Sequence, residues 1–137
     1  MRKRPASLIP SDVQGRTRVT QWCFAALTTV SPPLVVISFG DMAGMTDKGR
    51  KLWGTVANRV FRDLDRRLDG REWIACTEFT VADILLASAL KDIRKTDLLE
   101  AYPRLKDFYL RALARPAWER TLNLYAERLG VAVADIR

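Results

Sequence analysis

The sequence contains no histidine at any of its 137 positions. Imidazole is the most common general base and metal ligand, so its absence excludes Ser-His-Asp and Cys-His catalytic arrangements. The two cysteines, Cys23 and Cys76, lie far apart and form no Cys-x-x-Cys pair, which leaves zinc and iron–sulfur sites without ligands. Both have apolar neighbours, which is typical of buried thiols in a reducing compartment. We expect no catalytic residue, no metal ligand and no resident cofactor in this chain.

Basic residues outnumber acidic ones, with 23 Lys and Arg against 16 Asp and Glu and a formal net charge of +7. Arg2, Lys3 and Arg4 mark residues 1–10 as a basic N-terminal segment. Elsewhere charges of both signs are interspersed, which is typical of a solvated helical surface. No basic stripe is interleaved with aromatic residues, so nucleic acid is not an expected partner. A salt-dependent contact between the basic segment and an anionic surface is the alternative.

A run without charged residues covers positions 19–40 and is long enough to cross a bilayer. Pro32 and Pro33 interrupt this run near its middle, where lipid would leave backbone groups without hydrogen-bond partners. We therefore predict a buried helix, kinked or ended at the prolines, and no membrane span. No apolar run directly follows the basic N-terminal residues as a secretion signal requires, so the expected location is cytoplasmic.

Apolar residues recur at steps of three and four along the whole chain, which is the period of a helix. Caps and breakers bound predicted helices at about 12–31, 46–70, 80–90, 102–115 and 116–130. Strand alternation, a Gly-x-Gly-x-x-Gly pattern and a phosphate-binding loop are all absent from the sequence. We predict an all-α fold, a five- to six-helix bundle over residues 11–130, with residues 131–137 as a tail.

In the second predicted helix, apolar residues follow one another at steps of four. They are Leu52, Val56, Val60, Leu64 and Leu68. This series is expected to mark the face that packs on the core, with Trp53, Ala57 and Phe61 beside it.

The third predicted helix begins with the sequence Phe79-Thr-Val-Ala-Asp-Ile84. Thr80 fits the N-cap position and Asp83 fits N3, so the two side chains can form a capping box, while Phe79 and Ile84 can form a hydrophobic staple. A threonine beside an aspartate also suits acid–base chemistry, but capping is the interpretation we favour. The residues that follow are almost wholly apolar, which predicts a helix buried on most sides.

Several stretches, in this order, resemble the C-terminal helical domain of glutathione S-transferases. They are Arg16-Thr-Arg-Val-Thr-Gln-Trp22 with Pro32-Pro33, Leu64-Asp-Arg-Arg-Leu68 with Trp73-Ile-Ala, Phe79-Thr-Val-Ala-Asp-Ile84, Tyr102-Pro-Arg-Leu105 and Arg111-Ala-Leu-Ala-Arg-Pro116. The resemblance covers about residues 8–130. It implies the helical fold of that family, with the segment that begins at Thr80 as its central helix.

The resemblance also implies that transferase activity requires a second domain. In the family, a preceding thioredoxin-like domain binds glutathione and supplies the residue that activates its thiol; we expect this chain to lack that half and to be inactive alone. Its first helix would line the pocket for a small apolar electrophile. The residues assigned to substrate binding are Gln21, Phe24 and Thr28, whereas Trp22 follows the core face.

Two functions follow from this resemblance. Completed by a thioredoxin-like domain, the chain would be a glutathione transferase, with glutathione as co-substrate. The alternative is a protein-interaction or assembly module, because similar domains dock partners through their helical faces. A homodimer and docking to a thioredoxin-like domain are the expected partnerships.

Overall fold

The computed structural model describes residues 7–137, and the basic residues Arg2, Lys3 and Arg4 lie outside this range. Every regular element within it is a helix. The helices are α1 (Val13–Ala25), α2 (Ser31–Phe39), α3 (Asp47–Arg67), α4 (Val81–Leu90), α5 (Pro103–Leu113), α6 (Pro116–Leu129) and α7 (Val133–Ile136). A π-helical segment (Ala26–Val30) joins α1 to α2, and a 3-10 turn (Lys91–Ile93) follows α4. The predicted all-α bundle is confirmed, and the predicted tail carries the short helix α7.

The helix α1, the π segment and α2 form one continuous rod from Val13 to Phe39. The carboxylate of Asp12 caps its start by accepting a hydrogen bond from the Gly15 N–H at 2.7 Å. Pro32 and Pro33 do not end the helix, because they occupy the first turn of α2, where the preceding π segment already departs from α-helical hydrogen bonding. The sequence predicted that the helix would kink or end at the prolines. In the structure the helix instead continues through them to Phe39, and the irregularity is the π segment that precedes them.

The helix α4 lies at the centre of the bundle, as the sequence predicts. Leu86 and Leu90 are at most 1% exposed, and Ala82 and Asp83 have no exposed surface. The rod packs on one side of α4 and α5 packs on another. Small side chains such as Ala82 and Ala87 allow these neighbours to approach closely, so α4 is enclosed on most of its surface.

The helix α3 packs on the core through a face that the step-of-four series predicts only in part. Thr46 caps its start by accepting from the Gly49 N–H at 3.1 Å. Ala57, Phe61 and Leu64 are buried, whereas Leu52 is 62% exposed. A step of four residues overshoots one helical turn by about 40°, so a long series of such steps leaves the core face. The prediction of a core position is wrong for Leu52 and Val56.

Candidate functional site

The start of α4 is organised around the buried carboxylate of Asp83. Its Oδ2 accepts hydrogen bonds from the Thr80 N–H at 2.8 Å and from the Thr80 hydroxyl at 3.2 Å. Its Oδ1 accepts from the N–H of Ile74 at 2.8 Å, which ties the connection before α4 to the helix start. The Asp83 half of the predicted capping box is present, whereas the Asp83 N–H donates to the Thr80 carbonyl at 3.1 Å and not to the Thr80 hydroxyl. Because both oxygens are occupied by structural donors and neither residue is accessible, this pair has a structural role and does not perform acid–base chemistry.

Burial raises the pKa of Asp83 above its ordinary value, and the hydrogen bonds from Ile74 and Thr80 oppose this only in part. The folded chain therefore holds this proton more tightly than the unfolded chain does. Asp83 contributes most to stability below the unfolded pKa of about 3.9, and this contribution is lost as the pH rises through the raised pKa.

The pH dependence of the stability should therefore report on Asp83. We expect the difference in unfolding free energy between the wild type and Asp83→Asn to shrink as the pH rises from about 4 to about 8. Urea unfolding at several pH values measures this difference, and the comparison cancels the titration of the other carboxylates. A difference that grows with pH would mean that the hydrogen bonds outweigh burial.

The connection between α3 and α4 is held against the rod by an arginine. The Nε of Arg67 donates to the Ile74 carbonyl at 3.2 Å, and its guanidinium lies 5.4 Å from the centre of the Trp22 ring. Trp22 is half-buried and packs against the core, in agreement with its assignment to the core face. These contacts fix the orientation of α1 and therefore the direction in which its opposite face points.

The opposite face of α1 carries a shallow groove. Its lining consists of Val13, Arg16, Thr17, Thr20, Gln21 and Phe24. The structure thus brings together two of the three residues assigned to substrate binding, Gln21 and Phe24, and the Phe24 ring is 63% exposed. Val13, Thr17 and Thr20 also line the groove and were not predicted from the sequence, although they share the helical spacing of Gln21 and Phe24.

Thr28, the third assigned residue, lies outside this groove. It belongs to the π segment, and its hydroxyl donates to the Phe24 carbonyl at 2.8 Å. That bond occupies its donor and leaves the exposed oxygen as an acceptor only. Substrate binding by Gln21, Phe24 and Thr28 stays a prediction, with the first two now placed on a common surface.

The groove is suited to binding rather than to bond-making. It offers apolar surface, hydroxyl and amide groups and the guanidinium of Arg16. The nearby thiol of Cys23 is a poor nucleophile, because burial and the charge of Asp83 raise its pKa. No cluster of residues that could hold a metal ion occurs in the part of the chain that the structure describes.

The rod also presents an apolar stripe beyond the groove. We use the name rod stripe for the exposed side chains Phe24, Leu27, Val35 and Phe39. The rod is long and apolar enough to span a membrane by length and composition, and only 22% of its most apolar window is buried. Its core side carries the buried residues Val19, Ala26, Val30 and Leu34, which is the pattern of a helix packed by one face on the core of the bundle. The sequence predicted a buried helix for the uncharged run at positions 19–40, and the structure buries only one face of it.

Comparisons with known proteins agree with this architecture. Residues 33–119, more than half of the chain, match the model of the glutathione S-transferase C-terminal domain. A glutathione transferase from Burkholderia graminis, solved with two glutathione molecules bound per subunit, superposes with a TM-score of 0.74 at 25% identity, over 82% of this chain and 51% of that protein. A search of curated proteins finds no significant match.

Two further structures show the same fold. A glutathione transferase family member from Pseudomonas fluorescens has a TM-score of 0.74 at 24% identity, over 82% of this chain and 54% of that protein. Glutathione transferase F7 from Populus trichocarpa has a TM-score of 0.74 at 14% identity, over 87% of this chain and 60% of that protein. The chain thus spans between about half and three fifths of the length of these relatives. It belongs to the family of glutathione S-transferase C-terminal domains.

Proposed function

We propose that this chain is the electrophile-binding half of a glutathione transferase. In this proposal a thioredoxin-like domain holds glutathione as co-substrate and activates its thiol, while the α1 groove receives a small apolar electrophile. The observation that carries it is the placement of Gln21 and Phe24 in an open groove on a domain of this family. A large exposed aromatic ring beside a polar amide is the composition expected of a pocket for an apolar molecule with a polar substituent.

Within the groove the side chains have distinct roles. The Phe24 ring offers a flat apolar face, and the Gln21 amide donates or accepts a hydrogen bond. Thr28, one turn further along the rod, accepts a hydrogen bond from the far end of the electrophile. None of these groups activates a thiol, so the proposal assigns no catalytic residue to this chain and expects no transferase activity from it alone.

A fusion protein tests the proposal. The thioredoxin-like half of the Burkholderia graminis enzyme is placed before this chain, and conjugation of glutathione to 1-chloro-2,4-dinitrobenzene is followed by absorbance. The fusion should turn over the substrate, whereas the isolated chain should stay at the buffer rate. Turnover by the isolated chain above that rate would overturn the assignment of catalysis to the other half.

In the active fusion, Phe24→Ala should raise the KM for the electrophile about 10-fold, which corresponds to about 1.4 kcal/mol of lost contact. The KM for glutathione should not change. Phe39→Ala is the matched control, because it removes another exposed ring, 53% exposed against 63% for Phe24, at the other end of the rod stripe. An unchanged electrophile KM in Phe24→Ala would remove Phe24 from the substrate site.

A second function is favoured by the rod stripe. Its four exposed apolar side chains lie along one helical rod, and exposed apolar surface of this kind marks protein–protein contacts when it is large. The corresponding proposal is an assembly module, with a second copy of this chain or a thioredoxin-like domain on the stripe. Light scattering of the purified chain tests the first of these, because a strictly monomeric chain at high concentration would contradict self-assembly.

We also propose a cytoplasmic location. Cys23 and Cys76 are both unpaired thiols. Such thiols persist in a reducing compartment and tend to be oxidised outside it. A role in the removal of reactive electrophiles is consistent with that location.

A further inference from the structure

The outward face of α3 carries a straight row of basic residues. We use the name α3 row for the exposed side chains of Lys48, Lys51, Arg59, Arg62 and Arg66. About five helical turns separate Lys48 from Arg66, so the two point in the same direction, and the other three lie within about 60° of it. Ala57 and Phe61, which are buried in the core, lie on the opposite side of the helix. The α3 row is therefore about 27 Å long and points away from the bundle.

The positive charge of the α3 row is largely uncompensated. No acidic side chain of residues 7–137 forms a salt bridge with any member of the row. Asp65 and Asp69, at the end of α3, are instead paired with Arg104. Of the acids on α3, only Asp63 lies within about 60° of Lys48 around the helix axis. The row therefore presents five cations beside one anion.

The composition of this face narrows the class of partner. The aromatic residues of α3, Trp53 and Phe61, are on the core side, so the face has no ring on which single-stranded nucleic acid could stack. Its middle carries Thr55 and Arg59, whereas a protein–protein interface is usually apolar and poor in charge at its centre. A single straight row also does not follow the two phosphate strands that border a DNA groove. A flat anionic surface fits better, because all five cations can contact it at once.

An exposed apolar side chain lies beside the α3 row. Leu52 is 62% exposed and is one helical turn from Lys48 on the same side of the helix. Basic residues next to an exposed leucine are typical of a helix that lies on a membrane surface, where the cations contact headgroups and the leucine contacts the acyl boundary. The exposure of Leu52, which departs from the core series of α3, is consistent with such a contact.

We propose that the α3 row binds the surface of a membrane that contains anionic lipids, with α3 parallel to that surface. The five cations contact lipid phosphates, Leu52 contacts the boundary of the acyl region, and the rest of the bundle stays in water. This inference does not depend on the proposed transferase function, because the α3 row shares no residue with the α1 groove.

Sedimentation of the purified chain with lipid vesicles tests the proposal. One set of vesicles contains phosphatidylcholine only, and the other contains phosphatidylcholine mixed with phosphatidylglycerol. We expect the chain to sediment with the anionic vesicles at low salt and to be released at high salt, because salt screens exposed charges. Absence of binding to the anionic vesicles, or equal binding to both sets, would overturn the proposal.

The double variant Arg59→Gln and Arg62→Gln should lower binding to the anionic vesicles at least about 10-fold, because two of the five cations are lost. The pair Arg120→Gln and Arg128→Gln is the matched control, since both arginines are exposed, lie on α6 and remove the same net charge. Equal losses in the two pairs would mean that only net charge matters. Full binding by the first pair would assign the contact to the basic N-terminal segment. Either result would overturn the proposal.

Dependence on Leu52 separates a lipid surface from a soluble polyanion. Leu52→Ala should weaken binding to the anionic vesicles about 5-fold, because the truncated side chain no longer reaches the acyl boundary. Leu124→Ala is the control, since Leu124 is 49% exposed on α6. Double-stranded DNA and polyglutamate are titrated in parallel. Tighter binding to either polymer than to the vesicles, or vesicle binding that does not depend on Leu52, would assign the row to a soluble acidic partner and overturn the proposal.

Discussion

Replacement of Asp83 by alanine is expected to lower the free energy of unfolding by about 3 kcal/mol or more. The buried N–H groups of Ile74 and Thr80 would lose their acceptor, and each unsatisfied buried donor costs about 1–3 kcal/mol. Because Asp83 has no exposed surface, water does not reach these donors without opening the core. Both the start of α4 and the connection that precedes it should loosen together.

The chain offers a matched control for this variant. The tetrapeptide Val-Ala-Asp-Ile occurs twice, at 81–84 and at 133–136, and each copy begins a helix. In the second copy the Asp135 carboxylate accepts from the Ala132 N–H at 3.2 Å on an exposed surface. Asp135→Ala should therefore cost less than about 1 kcal/mol. Urea unfolding followed by circular dichroism measures both variants, and equal losses would contradict the central role of the first copy.

Removal of the Phe61 ring is expected to cost about 3–5 kcal/mol, the usual range for a phenylalanine truncated within a core. Phe61 has no exposed surface and packs edge-on against Tyr102, with 5.5 Å between the ring centres. The Tyr102 hydroxyl in turn donates to the Asn58 side chain at 3.1 Å. Loss of the ring would thus leave a cavity and free the contact between α3 and the start of α5.

Phe24→Ala is the counterpart of this substitution on the surface. Its ring is 63% exposed, so the expected change in unfolding free energy is within about 0.5 kcal/mol. Thermal and urea unfolding of Phe61→Ala and Phe24→Ala provide the comparison. A large loss of stability in Phe24→Ala would mean that its ring supports the fold, and the effect on electrophile binding proposed above could then no longer be assigned to direct contact.

The central helix was predictable from the sequence because its signals are local and mutually consistent. A capping residue, an acid at N3 and an unbroken apolar run all indicate the same start and the same burial. The interaction of Asp83 with Ile74 was not predictable. Those residues are nine positions apart across an irregular connection, and only the folded chain brings the carboxylate to that N–H.

The errors on α3 and on the rod have different physical causes. A step of four keeps residues on one helical face only over short distances, and Leu52 lies too far from Leu64 for the rule to hold. In the rod, apolar composition indicated burial, but composition does not tell a fully enclosed helix from one with a single packed face. Of the substrate residues, Gln21 and Phe24 could be placed by helical phase, whereas the hydrogen bond of Thr28 depends on the π segment.

The π segment has a consequence for the alignment of the rod. Ala26, Val30 and Leu34 are all buried and follow one another at intervals of four. On a regular α-helix two such intervals would rotate the last side chain by about 80° away from the first. A π turn holds more residues than an α turn and rotates in the compensating sense. One surplus residue in this turn thereby keeps both ends of a 27-residue rod in phase with the same core. Deleting one residue between Ala26 and Val30 would leave a regular α-helix in which the three buried side chains follow at steps of three and four, so α2 would keep its register on the core.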